Sequence, residues 1–392
     1  MQNNAGDARQ GVSWESVRSS FLLADGVVYL NNGTAGPSPR IVYEKTRAIT
    51  ELVESNPAEL GVYYQKAFGE SKDHFAAFMG ARGQDVVFLL NVTVGMNVIA
   101  RGLRTLRAGD EILTTDQEYG AVTNIWEFVA AKRGCTVRRV AVPQPPESAA
   151  AVVDLLLGSI TARTKVILVS HITTTTGMIF PIREICAGAR ERGILTAIDG
   201  AHAPGMIPVD LAEIDPDFYT GNCHKWLCAP KGTGFLYVAP RCQRLLDPLI
   251  VGWGWSKERE ETFLGNFENP GTHNPAPWIG VAEAASFQES LGKDSVASRG
   301  RELAAYARGK IAELPGFEPI TSCKPELGCS ICTYLMPPLA EGKLQKALER
   351  YRIVVPAGAN PDGGRMRLST HIYNTPDEVG ILLSALREAY GL

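Results

Sequence analysis

The segment 194–225 carries an acid, a histidine and a lysine that could act together on an amino-group substrate. Lys225 follows the aromatic pair 218–219 and directly precedes Trp226, so its amine is expected in apolar surroundings. A desolvated lysine has a lowered pKa and becomes a nucleophile that can form a Schiff base with a carbonyl group. Most lysines are solvated surface groups, and from the residues alone that alternative stays open for Lys225.

Asp199 ends the apolar run 194–198, which predicts a buried strand with this carboxylate at its carboxyl edge. A carboxylate at that place could keep the ring nitrogen of a bound pyridine cofactor protonated, which makes the ring an electron sink for a carbanion. The alternative is a helix N-cap, a common role for aspartate. His202 could donate a hydrogen bond to the phenolic oxygen of such a ring, or be a loop histidine bonded to backbone.

Two further loops follow predicted strands and could contact the same ligand. Residues 91–97 (NVTVGMN) follow a predicted strand and open a helix. The free N–H groups of a helix N-terminus bind anions such as phosphate, although Thr93 could simply cap the helix. Tyr119 follows the predicted strand 111–115, where its ring could stack on a flat cofactor or belong to the core.

Arg367 lies in the segment 365–369 (RMRLS), where alternate residues share one face of a predicted strand. An arginine on that face could bind a substrate carboxylate through two parallel hydrogen bonds. A surface salt bridge is the alternative, and the residues alone favour it.

Other motifs do not complete a known site. Segment 252–256 lacks the third glycine of a dinucleotide fingerprint, and segment 229–234 lacks the spacing of a P-loop. Cys223 and Cys228 flank His224, but no second ligand pair completes a zinc site. No metal site is therefore predicted.

The composition is typical of a soluble globular protein. The 392-residue chain is 45% hydrophobic and 21% charged, with a formal net charge of −3. This balance favours neither nucleic acid nor an anionic membrane as a partner. The N-terminal residues do not resemble a signal peptide, no apolar run is long enough to span a membrane, and the eight cysteines are scattered. We therefore expect a cytoplasmic protein with reduced thiols.

Short apolar strands alternate with helices through most of the chain. Strands are predicted at 86–90, 111–115, 137–142, 165–170, 194–198, 218–219 and 233–238. Helices are predicted between most of these strands and also at 38–55 and 64–80. This alternation predicts an α/β fold with a mostly parallel sheet covered by helices, and ligands at the carboxyl ends of the strands.

The C-terminal part of the chain has a different pattern. Helices near 275–291 and 295–313, strands near 329–335 and 366–369, and a helix from 376 predict a smaller α+β domain. We expect an N-terminal arm at 1–25 that packs on this small domain, a large domain at 26–285 and the small domain at 286–392.

In this order and spacing, the motifs resemble the class V aminotransferase family of pyridoxal phosphate (PLP) enzymes with fold type I, and above all its isopenicillin N epimerase-like branch. The resemblance covers nearly the whole chain and implies a large domain with a seven-stranded type of sheet. It rests on YLNNGTAGPSP at 29–39, NVTVGMN at 91–97, DQEYGA at 116–121, SHITTTTGMIFP at 170–181, DGAHAPG at 199–205, GNCHKWLCAPKGTGFLYV at 221–238, NPGT at 269–272 and MRLSTHIYNT at 366–375.

The resemblance implies a role for each matching position on the cofactor. Lys225 matches the lysine that tethers PLP, Asp199 the partner of the ring nitrogen, and His202 the group near the phenolic oxygen. Tyr119 matches the stacking position. The remaining cofactor positions lie on the phosphate side: Thr93, Val94, Asn222, His224 and Thr272. The last of these matches a threonine that reaches the partner subunit's phosphate, which implies a homodimer.

The substrate side follows from the same resemblance. Arg367 matches the arginine that binds the substrate carboxylate, and Asn32 and Gly33 lie where an N-terminal loop borders the substrate. Thr174 stands where an asparagine is common, and His273 where an arginine is frequent. Relatives on the epimerase branch tend to read GSGHK where this chain reads GNCHK, so the substrate pocket is expected to differ from theirs.

The implied activity begins with an external aldimine between PLP and an α-amino acid, from which Lys225 removes the Cα proton as general base. Epimerisation, β-elimination from an S-substituted cysteine and transamination all remain open, in a step of specialised metabolism. Cysteine desulfurases carry a nucleophilic cysteine near the substrate arginine, and segment 357–364 has none, so that activity is disfavoured. A non-catalytic binding protein, or a zinc or nucleotide binder, is the alternative from another class.

Overall fold

A computed structural model describes residues 12–253, 255, 262–268 and 271–392. Within these ranges the helices are α1 (Trp14–Ser19), α2 (Arg40–Ser55), α3 (Leu60–Phe78), α4 (Val92–Gly102), α5 (Gly120–Arg133), α6 (Ala149–Gly158), α7 (Ile182–Glu191), α8 (Leu211–Ile214), α9 (Phe263–Phe267), α10 (Ala276–Leu291), α11 (Lys293–Ala312), α12 (Lys343–Arg350) and α13 (Pro376–Tyr390). The strands are β1 (Val28–Tyr29), β2 (Val86–Leu89), β3 (Glu111–Thr115), β4 (Thr136–Val140), β5 (Thr164–Ser170), β6 (Leu195–Gly200), β7 (Phe218–Asn222), β8 (Gly234–Val238), β9 (Glu318–Pro319), β10 (Ile331–Met336), β11 (Ile353–Val354), β12 (Ala357–Asn360) and β13 (Gly363–Ser369).

A seven-stranded sheet in the order β2-β8-β7-β6-β5-β3-β4 forms the centre of the fold. Its strands run parallel except β8, which is antiparallel to both of its neighbours. Alternate residues of β5 enter different apolar clusters, with Ile167 and Val169 in one and Val166 and Leu168 in the other. Both faces of the sheet are therefore covered, and the predicted α/β fold with a mostly parallel sheet is confirmed.

The C-terminal part of the chain forms a separate antiparallel sheet in the order β12-β13-β10-β9. Helices α11, α12 and α13 contribute to the apolar cluster against it, with Ala307, Leu344 and Leu382 among the buried residues. The predicted smaller α+β unit is therefore present. The domain boundaries at residues 25 and 285 stay predictions.

The N-terminal segment returns to the C-terminal part of the chain. Phe21 belongs to an apolar cluster with Ile372 and Tyr373, and Arg18 lies 2.9 Å from Glu378. Strand β1 pairs in parallel with β11, and the bridge between Asn31 and Ser369 continues this pairing toward β13. Residues 1–11 of the predicted arm lie outside the described residues. The loop at 31–36 is thus fixed beside β13 from the N-terminal side.

Several element limits differ from the sequence expectations for identifiable reasons. Helix α4 begins at Val92 and not at residue 94, because the Asn91 side chain caps it by accepting from Val94 N at 3.0 Å. Strand β13 begins at Gly363, earlier than the expected 366, because its glycine-rich start pairs with β12. No helix among the described residues is both long enough and apolar enough to cross a membrane.

Candidate active site

Lys225 lies in the loop between β7 and β8, and its backbone is held from two directions. The Lys225 carbonyl accepts from the Asn32 side chain at 3.4 Å and from Cys228 N at 3.3 Å. A Cβ on Gly36 would lie 1.9 Å from the same carbonyl, so only glycine permits this approach. The loop at 31–36 therefore packs directly on the backbone of the lysine.

His202 follows β6 and connects Lys225 to two neighbours. Its Nε2 lies 3.3 Å from Lys225 Nζ and 3.0 Å from Thr174 Oγ1, and its Nδ1 lies 3.1 Å from Trp226 Nε1. Burial, followed by the charges of Lys225 and Arg367, holds the pKa of His202 well below its usual value. The imidazole is therefore neutral at physiological pH.

Asp199 lies at the carboxyl end of β6 as expected, one residue before its last, with 3% of its surface exposed. Its Oδ1 accepts from Ala201 N at 2.8 Å. Burial raises the pKa of Asp199, while the Ala201 amide and the charge of Lys225 act in the opposite direction. Burial lowers the pKa of Lys225 to about 8, against the raising effect of Asp199. The site thus combines a buried acid with an amine that loses its proton near neutral pH.

A second carboxyl group, that of Glu118, lies beside Asp199. Glu118 accepts from Ser170 Oγ at 2.6 Å and from Thr115 Oγ1 at 2.7 Å. Burial raises its pKa to about 7, and the neighbouring charge of Asp199 adds to the effect. Ser170 and Asp199 are paired residues of adjacent strands, so the two carboxyl groups lie at the same edge of the sheet.

The N-terminus of α4 faces the end of β7. Asn222 Oδ1 accepts from Val92 N at 3.0 Å, and the Asn91 cap occupies the amide of Val94. Among the described residues, the Thr93 amide has no acceptor, and its side chain is exposed. Of the two predicted residues in this turn, Thr93 therefore retains a free donor for an anion, whereas the Val94 amide is already bonded.

His224 lies beside Lys225 on the same loop. Its Nδ1 donates to the Thr233 carbonyl at 2.7 Å, which leaves Nε2 for another partner. Burial lowers the pKa of His224, and the charges of Lys225 and Lys231 lower it further.

Arg367 projects from β13 toward the loop at 31–36. Its Nη2 donates to Thr34 Oγ1 at 3.1 Å and to Asn31 Oδ1 at 3.4 Å. Its Nε is buried without a partner, and no salt bridge among the described residues includes this arginine. Burial lowers its pKa, and the nearby Tyr119 opposes that effect. A half-buried guanidinium with donors to spare is suited to bind a carboxylate from a ligand.

The loop residues predicted on the substrate side have different surroundings. Asn32 is fully buried, accepts from the Tyr373 hydroxyl at 3.0 Å and donates to Lys225, while Asn31 contacts Arg367. A Cβ on Gly33 would lie 3.5 Å from Arg367 Nη2 and 2.8 Å from a side-chain oxygen of β13. The structure therefore brings Gly33 to the arginine, and ties Asn32 to the lysine loop.

Thr272 and His273 lie at a different feature, an apolar cavity of about 240 Å³ that is lined also by Leu90, Val94 and Trp278. Thr272 is exposed, and the His273 ring lies edge-on to Trp278 with 4.6 Å between centroids. Tyr119 is 50% exposed and precedes α5. Their predicted roles on a partner's phosphate, on the substrate and on the cofactor ring stay predictions.

Three contacts of the site were not expected from the sequence. Glu118 lies next to Asp199, Trp226 donates to His202, and Asn31 contacts Arg367. In the sequence, Glu118, Trp226 and Asn31 are marked only by standing next to the predicted site residues Tyr119, Lys225 and Asn32. Their contacts depend on which side chains converge in space, which the sequence pattern does not indicate.

Comparison with known proteins shows the family of the chain. Residues 28–382 match the model of the family described as "Aminotransferase class-V". The chain belongs to this family. It is 36% identical to the isopenicillin N epimerase of Amycolatopsis lactamdurans, over 96% of this chain and 98% of that protein. It is 34% identical to the isopenicillin N epimerase of Streptomyces clavuligerus, over 95% and 97%.

A similar structure supports the fold. The cysteine desulfurase CsdA of Escherichia coli superposes with a TM-score of 0.85 at 24% identity, over 97% of this chain and 99% of that chain. At this identity the likeness extends to the fold alone. Together, the family match and this structural similarity confirm the predicted class V family and its fold.

Members of the class V family use PLP, and this chain is a PLP-dependent enzyme of that class. The residues present fit the group: a buried carboxylate and an amine with a lowered pKa converge, and an amide at the start of α4 has no acceptor. A Cβ on Gly95 would lie 2.0 Å from Thr220 Oγ1, so α4 packs closely enough on β7 to bring its N-terminus to the sheet edge.

Proposed function

We propose that this enzyme removes the Cα proton of an α-amino acid and returns a proton to the same carbon, as an epimerase similar to the isopenicillin N epimerases. The observation that carries the proposal is the convergence of Lys225, His202 and Asp199 together with Arg367, which has no counter-ion among the described residues. The two relatives above 30% identity support the branch.

Two side chains and one backbone amide would hold the cofactor. Lys225 would bind it covalently, Asp199 would pair with its ring nitrogen and Thr93 N with its phosphate. Bound PLP supplies an electron sink that stabilises negative charge at the Cα of an amino acid.

Arg367 would orient the substrate. Its Nε and its Nη2 can donate to the two carboxylate oxygens of an amino acid, and the half-buried cation gains a counter-ion, which none of the described residues provides. A fixed carboxylate sets the direction of the Cα–H bond, which is the main contribution of such a contact to the rate.

Lys225, freed as an amine when the amino group of the substrate replaces it on the cofactor, would then take the proton. The Cα–H bond breaks and the proton moves to Nζ, whose pKa of about 8 places it close to neutral pH, where a general base is most effective. Asp199 would stabilise the positive charge that Lys225 acquires in this step, because it raises the pKa of the lysine.

A C–S lyase acting on an S-substituted cysteine is the second candidate, since it needs the same proton removal. The β12–β13 hairpin beside Arg367 contains no cysteine, which argues against a desulfurase but not against a lyase. A transaminase shares the first step as well.

The cofactor assignment is tested by mass spectrometry of the purified full-length chain after borohydride reduction. We expect PLP to remain attached to Lys225 and to no other lysine. The Lys225→Ala variant should carry none, whereas Lys231→Met, which changes another partly buried lysine of the same loop, should retain it. Attachment at a different lysine, or none in the wild-type chain with added PLP, would refute the assignment.

The reaction is tested by incubation in deuterium oxide with L-amino acids and S-substituted cysteines. Deuterium at Cα together with the opposite enantiomer indicates an epimerase. Pyruvate and ammonia indicate a lyase, and a keto acid indicates a transaminase. No exchange with any probe while PLP is attached at Lys225 would refute proton removal but leave the cofactor assignment intact.

We further propose a homodimer in which Thr272 of one subunit reaches the phosphate of the other. Large apolar side chains are exposed near this threonine, among them Leu90, Leu249 and Ile250, which line the same cavity. Exposed apolar groups in such number are typical of an interaction surface.

A further inference from the structure

The protonation of the His202 ring can be read from its hydrogen bonds. Trp226 Nε1 lies 3.1 Å from His202 Nδ1, and both groups are buried. An indole nitrogen only donates, so Nδ1 must be the unprotonated nitrogen that accepts. The neutral ring therefore carries its proton on Nε2, since which nitrogen is protonated is set by the partner of the other.

The Nε2–H group then points at the lysine side of the ring. Thr174 Oγ1 at 3.0 Å and Lys225 Nζ at 3.3 Å are the two groups within reach. A neutral amine can accept this hydrogen through its lone pair. An ammonium group has no acceptor and would set its own hydrogens against that of Nε2.

We propose that Trp226 is a positioning residue: its indole N–H holds His202 in the Nε2–H form and thereby favours the uncharged amine of Lys225. This deepens the proposed function and rests on the role of Lys225 given there. Had the imidazole carried its proton on Nδ1, its Nε2 would accept a hydrogen bond from the ammonium form of Lys225. It would then stabilise the protonated lysine, which cannot act as a base.

Trp226 itself is fixed by the core. Its carbonyl accepts from Gln288 Nε2 at 2.6 Å and from His371 Nε2 at 3.0 Å, and its ring lies edge-on to that of His371 with 5.4 Å between centroids. With no exposed surface, the indole has no room to turn its N–H away from His202. The donor is thus preorganised before any ligand binds.

Other charged groups act on Lys225 from the elements around it. Asp199 on β6 favours its charged form and Arg367 on β13 its neutral form, while His224 precedes it on its own loop and has a lowered pKa. None of these changes when the indole N–H is removed, so the effect of Trp226 can be measured separately.

The test uses the full-length chain with and without PLP, and compares wild type with Trp226→Phe. Nitrogen-15 NMR of the histidine rings should report His202 with an unprotonated Nδ1 and a protonated Nε2 in the wild type. In Trp226→Phe a population protonated on Nδ1 should appear. In the cofactor-free chain, the pKa of Lys225, followed by NMR of its ε-carbon, should move from about 8 toward the usual 10.5.

Trp278→Phe is the matched control, because it removes an indole N–H that donates to the Leu89 carbonyl at 3.0 Å, in the apolar cavity. It should leave His202 and Lys225 unchanged. A wild-type His202 protonated on Nδ1 would overturn the proposal even if Trp226→Phe fails to fold, and so would an unaltered Lys225 pKa in a folded variant. The ring measurement needs no bound cofactor, so its failure is distinct from failure of the PLP assignment.

Discussion

Replacing Arg367 by alanine should weaken substrate binding strongly without destabilising the protein. In the wild-type chain this arginine is half-buried, its buried Nε has no partner among the described residues, and its Nη2 donates to neutral oxygens of Asn31 and Thr34. Each hydrogen bond to a charged group contributes roughly 1.5–3 kcal/mol, and removing one partner of a buried charge pair costs about 2–5 kcal/mol. The expected loss of affinity for an amino-acid carboxylate is therefore about 30- to 4,000-fold.

In the ligand-free chain, the same replacement of Arg367 by alanine should leave the free energy of unfolding unchanged or increase it. Burial already lowers the pKa of Arg367, which means that the surroundings disfavour its charge. Its removal takes away that cost and loses some packing of the side-chain stem. We expect the urea midpoint of Arg367→Ala to be equal to or above that of the wild type. Arg367→Lys should bind substrate at an intermediate level, because an ammonium group cannot make the bidentate contact.

The assay is a titration of the PLP-loaded chain with L-alanine and S-methyl-L-cysteine, followed by the change in cofactor absorbance. Arg365→Ala is the control, since it removes an equal charge from an exposed position of the same strand. It should change the dissociation constant less than threefold. Wild-type affinity in Arg367→Ala, or an equal loss in both variants, would show that the arginine does not bind the carboxylate.

Three further outcomes are expected. Gly36→Ala should destabilise the chain by about 1–3 kcal/mol in urea unfolding and lower its PLP content, because the new Cβ meets the Lys225 carbonyl. Gly309→Ala, whose new Cβ enters open space, should have neither effect. Equal stability of the two variants would contradict this prediction. Glu118 has a folded-state pKa of about 7 against 4.5, so its stabilising contribution is complete below pH 4.5 and lost as pH rises through 7. Glu118→Gln should therefore match the wild type at pH 4.5 and be more stable by about 1–3 kcal/mol at pH 8; a stability difference independent of pH would refute this. Sedimentation of the wild-type chain should show a dimer. Thr272→Ala should lower the affinity for PLP while the protein stays dimeric. A monomeric wild type with full PLP content would exclude a site shared between subunits.

The central sheet could be predicted from the sequence because its buried strands are short apolar runs, such as 165–170, separated by helices with regular spacing. The hairpin of β12 and β13 could not be predicted in full. Its residues 357–364 are rich in glycine, which has low strand propensity, and they are held by pairing with distant β10 and not by local preference.

The site was predictable to the extent that its residues sit at strand ends. Asp199 was placed correctly at the edge of the sheet by the apolar run before it. The contact of Trp226 with His202 was not, because it depends on the conformation of the 222–233 loop, where a neighbouring residue, Cys228, adopts a positive φ of 60°. Convergence of side chains from separate loops has no periodic signal in the sequence.

The pairing of residues 28–31 with segments near 353 and 369 also sets the order in which the protein can be completed during synthesis. The loop at 31–36 leaves the ribosome long before the strands that hold it. The large sheet can form while translation continues, since domains fold as units from the N-terminal side. The loop can therefore be held against the Lys225 backbone, which Gly36 contacts, only after residue 369 has emerged. Chains that stop short of β13 should therefore leave the lysine loop uncovered.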